Sequence, residues 1–229
     1  MSRNAVLLEA CRIGRRHPDG QGWLVDDVSL RVRAGRRLAV VGASGAGKTV
    51  LLRALSLLDP LDEGEIRWRG EPVRRDQTPA FRRQAVYVHQ RPALAEATVE
   101  AALRQPFSLG AYRRKTFDRE RVIRRLEELG RDGSFLDKKV GDLSGGESQI
   151  AMLVRALQLD PVVLLLDEPT AALDRRTARA AEAMFDRWLL ELADARAVVW
   201  VTHDPAQARR VADRVLSIEA GRVVGDNHA

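Results

Sequence analysis

The chain carries one cysteine, Cys11, in 229 residues. A lone thiol excludes a disulfide framework and a thiolate zinc site, and it leads to the expectation of a reducing, cytoplasmic setting. No apolar run approaches the ~20 residues that a membrane-spanning helix needs. Met1 to Asn4 lead straight into strand-like sequence, so no export signal is expected. Internal repeats, low-complexity segments and sustained heptads are all missing. A clear block of one charge is missing too. The net charge is +6, nearly all of the basic residues are arginine, and they alternate with acids along the chain. That dispersion argues against a nucleic-acid surface, and it leaves an acidic membrane or the acidic face of a partner equally open.

What is present fits a soluble globular protein, 45% hydrophobic, with the length of one large domain or one domain with an insertion. Leu38 to Val41 read as a buried strand end, and Leu51, Leu52 and Leu55 take helical spacing soon afterwards. Between them stands Gly42-Ala43-Ser44-Gly45-Ala46-Gly47-Lys48-Thr49. Glycine, four residues, then Gly-Lys-Thr is the phosphate-loop pattern. Its glycines let successive backbone N–H groups aim at one point, and the following helix N-terminus favours an anion there. Lys48 is expected on β- and γ-phosphates and Thr49 on Mg²⁺. The chain is therefore expected to bind a nucleoside triphosphate.

In chain order, Ala5 to Ile13 reads as an edge strand and Trp23 to Val32 as a half-exposed one. Arg37 to Val41 forms the strand into the phosphate loop, with a helix over Lys48 to Leu58. Gly64 to Arg69 is a further alternating strand, so a small antiparallel sheet is expected beside the nucleotide core. Ala85 to Val88 is a strand leading into His89-Gln90-Arg91-Pro92. Thr98 to Leu159 is mostly helical, with Thr116 as an N-cap, a helix ending at Gly130, and another from about Gly146. Two apolar strands, Val162 to Leu166 and Ala197 to Val201, read as buried on both faces. Helices are expected over Thr177 to Leu192 and Pro205 to Ala212. Arg214 to Ile218 and Arg222 to Val224 make a hairpin, and the tail from Gly225 is expected to be loose.

Two further groups carry chemistry. Asp167-Glu168 closes a buried strand at the sheet edge where ligands bind in open α/β sheets. Asp167 is expected to hold Mg²⁺ through water and Glu168 to polarise the attacking water. By themselves two acids there would be solvated strand-end residues; the phosphate loop changes their meaning. Leu143-Ser144-Gly145-Gly146-Glu147 opens a helix with a serine and two glycines, a second anion site. One subunit cannot direct both sites at one γ-phosphate at this separation, so Ser144, Gly145 and Gly146 are expected to cap a nucleotide held by a second subunit.

With these motifs assembled, the chain resembles the nucleotide-binding subunits of ABC transporters from end to end. The likeness rests on Gly42 to Thr49, Gln90, Leu143 to Glu147, Asp167-Glu168-Pro169-Thr170, Ala171-Ala172-Leu173-Asp174 and Thr202-His203-Asp204, in the family's order. It implies an α/β phosphate-loop NTPase with a RecA-like core, an antiparallel β subdomain and an inserted helical subdomain. A single domain of 229 residues follows, with core and β parts at 1–91 and 161–229 and helices at 92–160. It implies ATP and Mg²⁺, with Gln90 touching the metal and sensing the insert. It also implies His203 near the γ-phosphate, and Asp174 communicating across a dimer formed on ATP binding. A separate transmembrane permease is implied, with the chain peripheral on the inner membrane face.

Ser148 and Ile150 depart from the family's usual polar or basic residues, which implies weaker contacts there, and Ala171 replaces a frequent serine. No Tyr or Phe stands at Arg15 to His17, where an adenine-stacking aromatic is expected; His17 or an arginine could stack instead, with Trp23 as core. Gln105-Pro106-Phe107 and Val199 to Asp204 look most like ATPases paired with iron-exporter-type permeases, while short importer and lipoprotein-release ATPases compete closely. The rival reading is a soluble ATPase of the same family acting on a scaffold such as one for iron–sulfur assembly. A DNA-repair or chromosome ATPase ranks last, since heptads and zinc cysteines are missing.

Overall fold

A computed structural model describes residues 4–91 and 93–228, with backbone alone at His228; Met1, Pro92 and Ala229, which enter some of the expectations above, lie outside the described residues. The chain forms two compact units. The first comprises Met1–Tyr87, Val162–Glu168 and Leu189–Ala229, the second Val88–Pro161 and Pro169–Trp188.

In the first unit, β1 (Val6–Arg16) and β2 (Trp23–Arg33) precede β3 (Arg37–Val41) and α1 (Lys48–Leu55). Then come β4 (Glu63–Trp68), β5 (Glu71–Pro72), α2 (Thr78–Gln84) and β6 (Ala85–Val88). In the second unit lie α3 (Val99–Arg104), α4 (Arg119–Glu128) and α5 (Gly145–Gln158). They are followed along the chain by β7 (Val163–Asp167), α6 (Arg175–Glu191), β8 (Ala197–Val201), α7 (Pro205–Val211), β9 (Arg214–Glu219) and β10 (Arg222–His228).

A four-stranded antiparallel sheet has the order β2-β1-β4-β5, and a six-stranded sheet has the order β10-β9-β3-β8-β7-β6. In the larger sheet β3 is parallel to β8 and β9, and β7 is parallel to β8. Their C-terminal ends therefore share one edge, and the register puts Val40 and Asp167 both opposite Val201. Every residue of β7 and β8 is buried, as their unbroken apolar runs require. Leu7, Ile13, Val25, Leu51, Leu55, Leu165 and Ile218 belong to one core built from both sheets and α1. Each such side chain contributes roughly 1.5–3 kcal/mol of burial.

Several expectations need correction. β1 is an internal strand, with β2 on one side and β4 on the other, and it runs on to Arg16. It gets past its own irregularity because Arg12 turns into the left-handed region (φ 48°) and gives its N–H to Ser29 Oγ. α1 stops at Leu55: the Ser56 hydroxyl donates to the Arg53 carbonyl, and Leu57 is left-handed (φ 55°). Gly225 to His228 are not loose but pair with β9 out to Arg214, where Arg214 and Asp226 form a fork. The arginines, interspersed in sequence, are partly gathered by folding. Arg31, Arg33, Arg36, Arg37 and Arg214 line a cavity of about 510 Å³ with Asp213 and Asp226.

The second unit's helices are shorter than the sequence suggests, separated by 3₁₀ turns such as Gln105–Ser108 and Gly133–Asp137. Asp118, not Thr116, caps α4: its carboxylate accepts the Arg121 N–H, which the residue two positions earlier cannot reach. α3 and α4 both pack on α5. Arg155 of α5 donates to Gln105 Oε1 at 2.6 Å and Gln158 donates to the Leu103 carbonyl at 2.6 Å, tying α5 to the α3 segment.

Candidate nucleotide-binding site

The turn between β3 and α1 needs glycine for reasons of space. A Cβ on Gly42 would lie 2.3 Å from the Ile218 carbonyl oxygen, and one on Gly47 would lie 2.3 Å from that of Leu24. Gly45 and Gly47 are also left-handed, at φ 80° and 100°. Gly47 precedes α1 without any side-chain cap, so no side chain competes for the first helical N–H groups. Ala43, Ser44 and Gly45 are exposed at the tip, while Ala46 is buried and its N–H bonds the Ala43 carbonyl at 3.2 Å. Lys48, only 6% exposed, folds back across the loop and donates to the Gly42 and Ala43 carbonyls at 2.8 Å each. The result is a concave, cationic, donor-lined loop of the kind that takes polyphosphate.

Asp167 ends β7 at 1% exposure. Two hydroxyls converge on its Oδ2: Thr49 Oγ1 at 2.8 Å and Tyr87 OH at 2.9 Å. Burial, first, and then the Asp167 charge push the Tyr87 hydroxyl up from its usual range, so Tyr87 stays protonated and donates. Among the described residues no group of three or more His, Cys, Asp or Glu could hold a metal by itself. One carboxylate beside one hydroxyl is instead the sparse, hard-oxygen donor set that Mg²⁺ takes when phosphates and water complete its shell. The residues present thus fit a Mg²⁺–nucleotide.

Glu168, next in the chain, adopts φ 45°, an uncommon conformation for a residue with a side chain. Its N–H is held by the Val201 carbonyl at 3.1 Å. Its Oε2 lies 3.1 Å from His203 Nδ1, and the two side chains are 17% and 69% exposed. His203 is presented by two anchored neighbours. Thr202 is buried and donates to Gln207 at 2.7 Å; Asp204 caps α7 through the Ala206 N–H. Lys48, Thr49, Asp167, Glu168 and His203 thus belong to one unit and one sheet edge.

Gln90, Ser144, Gly145 and Gly146 lie in the second unit. Gln90 is exposed just past the end of β6. Ser144 caps α5, which starts at Gly145, one residue earlier than expected. Its hydroxyl takes the Glu147 N–H at 3.2 Å, and Glu147 Oε2 accepts the Ser144 N–H at 3.0 Å. Lys138 Nζ sits 2.5 Å from Glu147 Oε1, and this hydrogen bond, with those from Ser144, holds the Glu147 carboxyl down at about 2. A Cβ on Gly146 would lie 3.0 Å from the Ala172 carbonyl oxygen. Asp174 accepts the Arg176 and Thr177 N–H groups at the start of α6.

The stretch beside the expected adenine position is occupied by its own contacts. His17 Nδ1 is 2.6 Å from Asp19, Arg15 pairs with Asp62 at 2.9 Å, and the Arg16 guanidinium stacks 4.3 Å above the Trp23 ring. Trp23 is half-buried rather than core. Tyr87 is the residue that the sequence reading missed. The available signal was an aromatic hydroxyl three positions before Gln90 on the strand that precedes it.

Residues 25–171 match the family model described as ABC transporter. The chain is 33% identical over 219 residues to a probable iron export ATP-binding protein of Escherichia coli K12, covering 96% of this chain and 94% of that one. It is 36% identical over 228 residues to a phosphonates import ATP-binding protein of Natronomonas pharaonis, covering 97% and 94%. It is 38% identical over 231 residues to a macrolide export ATP-binding/permease protein of Paracoccus denitrificans, covering 97% of this chain but spanning only 33% of that relative's length. Among solved structures, a dimeric ATP-binding cassette in a post-hydrolysis state with ADP and phosphate superimposes with a TM-score of 0.87 at 25% identity, over 97% of this chain and 98% of that one. The phosphate-loop α/β fold and these likenesses agree: the chain belongs to the ABC transporter family, whose ATP-hydrolysing domain it forms.

Proposed function

We propose that this chain energises a separate membrane permease, and that two copies close around two ATP molecules. The observation that carries the catalytic half is the gathering of Lys48, Thr49, Asp167, Glu168 and His203 on one sheet edge. The loop Gly42 to Thr49 binds the triphosphate through backbone N–H groups and Lys48. Thr49 and Asp167, joined at 2.8 Å, would hold Mg²⁺, which would offset charge on the phosphate oxygens. Glu168 orients the attacking water and takes its proton, and His203 holds the Glu168 carboxylate and reaches toward the γ-phosphate. Ser144, Gly145 and Gly146 serve the nucleotide of the second copy, whose opening follows hydrolysis.

No helix among the described residues is long and apolar enough to cross a membrane. The likeness to ATP-binding proteins of import and export systems supports a membrane path in another polypeptide segment, with this chain at the cytoplasmic face. Its permease contact is placed on the second unit, around Phe107. There Tyr112 and Phe117 pack edge-on at 6.4 and 6.2 Å, and Leu109 is 48% exposed. A metal ion such as iron is the cargo suggested by the likeness to the iron export protein; relatives named for macrolide and phosphonate carry the same cassette, so the cargo follows the permease.

Glu168→Gln tests the reading. It preserves shape and removes the base, so hydrolysis falls by about 10²-fold or more. With ATP and Mg²⁺ the variant elutes as a dimer in size-exclusion chromatography. Wild-type turnover, or a monomer at saturating ATP, refutes it.

A further inference from the structure

We propose that Tyr87 is a positioning residue for the divalent cation: its hydroxyl orients the Asp167 carboxylate that receives the metal. The inference rests on the reading of Asp167 as a Mg²⁺ ligand.

The argument begins with burial. Asp167 is 1% exposed, so water cannot solvate its charge, and a buried carboxylate needs donors or a cation. Two neutral hydroxyls donate to it, and both bind the same oxygen, Oδ2. Two neutral donors on one oxygen fix the plane of the carboxylate while leaving its full negative charge in place. That combination favours a cation arriving at a carboxylate already turned to meet it.

The two donors are not equivalent. Thr49 is exposed, belongs to the phosphate loop, and must share its oxygen with the metal. Its hydrogen bond to Asp167 is therefore tied to the loop's own geometry. Tyr87 comes from β6, the neighbour of β7 in the sheet, and so from the scaffold rather than the loop. Tyr87 carries its hydroxyl on a rigid ring from a strand, whereas Thr49 stands in the first turn of α1, directly after the loop that receives the nucleotide. Tyr87 holds the carboxylate in register with the sheet while Thr49 follows the nucleotide. Groups that hold a ligating carboxylate commonly change metal affinity 10–100-fold when removed.

The test uses the full chain carrying Glu168→Gln throughout, so that ATP is not consumed. Mn²⁺ serves as the probe, its binding in the presence of ATP read by electron paramagnetic resonance. Tyr87→Phe removes one oxygen and keeps the ring. The expected result is an Mn²⁺ dissociation constant raised about 10-fold or more. Binding of ATP in EDTA and the melting temperature stay near the parent values. Asp167→Asn is measured beside it. If Asp167→Asn leaves Mn²⁺ binding unchanged, the reading of Asp167 as a ligand has failed and the inference falls with it. If Asp167→Asn weakens Mn²⁺ binding and Tyr87→Phe does not, the inference alone is overturned. If Tyr87→Phe weakens ATP in EDTA or the melting temperature as much as it weakens Mn²⁺, Tyr87 is merely structural and the inference is overturned too.

Discussion

Two glycine-bearing turns of this molecule open helices, and they handle the orphan N–H groups of those helices in opposite ways. At α1 the residue before the helix is Gly47, with no side chain to cap anything. At α5 Ser144 and Glu147 close a reciprocal capping box, and Lys138 neutralises Glu147. The first turn leaves its donors for a ligand and is walled by close backbone, the Leu24 and Ile218 carbonyls. The second satisfies part of its donor set internally and is constrained by glycine on one side only, against Ala172. An anion site built to work within its own unit needs uncapped donors and a cation. A site expected to serve another copy's nucleotide must stay ordered without that nucleotide, and a self-capped turn does so.

This contrast can be broken from either side. The largest expected effect is on the α1 turn. Lys48→Ala removes the buried ammonium, and ATP affinity falls roughly 10–100-fold, the range of a lost charged hydrogen bond. A fluorescence titration with a labelled ATP analogue measures it, and unchanged affinity would show that the backbone donors suffice. Gly47→Ala comes next. It forces a Cβ into φ 100° and against the Leu24 carbonyl, so the chain loses about 1–3 kcal/mol, read by urea unfolding. Gly146→Ala should cost less, because its nearest neighbour stands 3.0 Å away rather than 2.3 Å.

On the α5 side, Ser144→Ala removes a cap and costs about 1 kcal/mol, a melting shift of roughly 2–4 °C for a chain of this size. ATP affinity of the isolated chain stays unchanged; a loss equal to that of Lys48→Ala would mean the two turns are not separate sites. The smallest effect is one of pH. Glu147 is held at about 2 in the fold, below its ordinary carboxylate value near 4.5. A depressed pKa gives stability that is fully present above the unfolded value and is lost as pH falls through the folded one. The melting temperatures of wild type and Glu147→Gln should therefore converge between pH 4.5 and 2, and a gap constant across that window would discount the Lys138 pair.

Much of the nucleotide edge was legible in sequence because it is local. Leu38 to Leu55 must be a strand, a glycine turn and a helix, and Val162 to Leu166 must be buried on both faces, whatever surrounds them. Errors arose where a partner distant in sequence decides. β1 reads as an edge strand from its own alternation, yet β4, more than fifty residues later, covers its other side. Gly225 to His228 read as a loose tail because nothing in those residues announces that β9 will pair with them. Asp118 displaced Thr116 as a cap because the helix begins only where its turns can be buried.

The sequence by itself determined the chemistry: a loop that only glycine can turn, a lysine and threonine placed by it, two acids at a strand end, and a serine-glycine turn opening α5. These are short-range consequences of residue type and spacing. Only the tertiary structure decided that Thr49 and Tyr87 meet on one oxygen of Asp167, and that His203 stands beside Glu168. It alone holds Glu168 at φ 45° through the Val201 carbonyl. Those placements join residues up to 118 positions apart. They follow from the parallel register of β3, β8 and β7, in which side chains remote in the chain are brought to one edge by backbone pairing that no local pattern encodes.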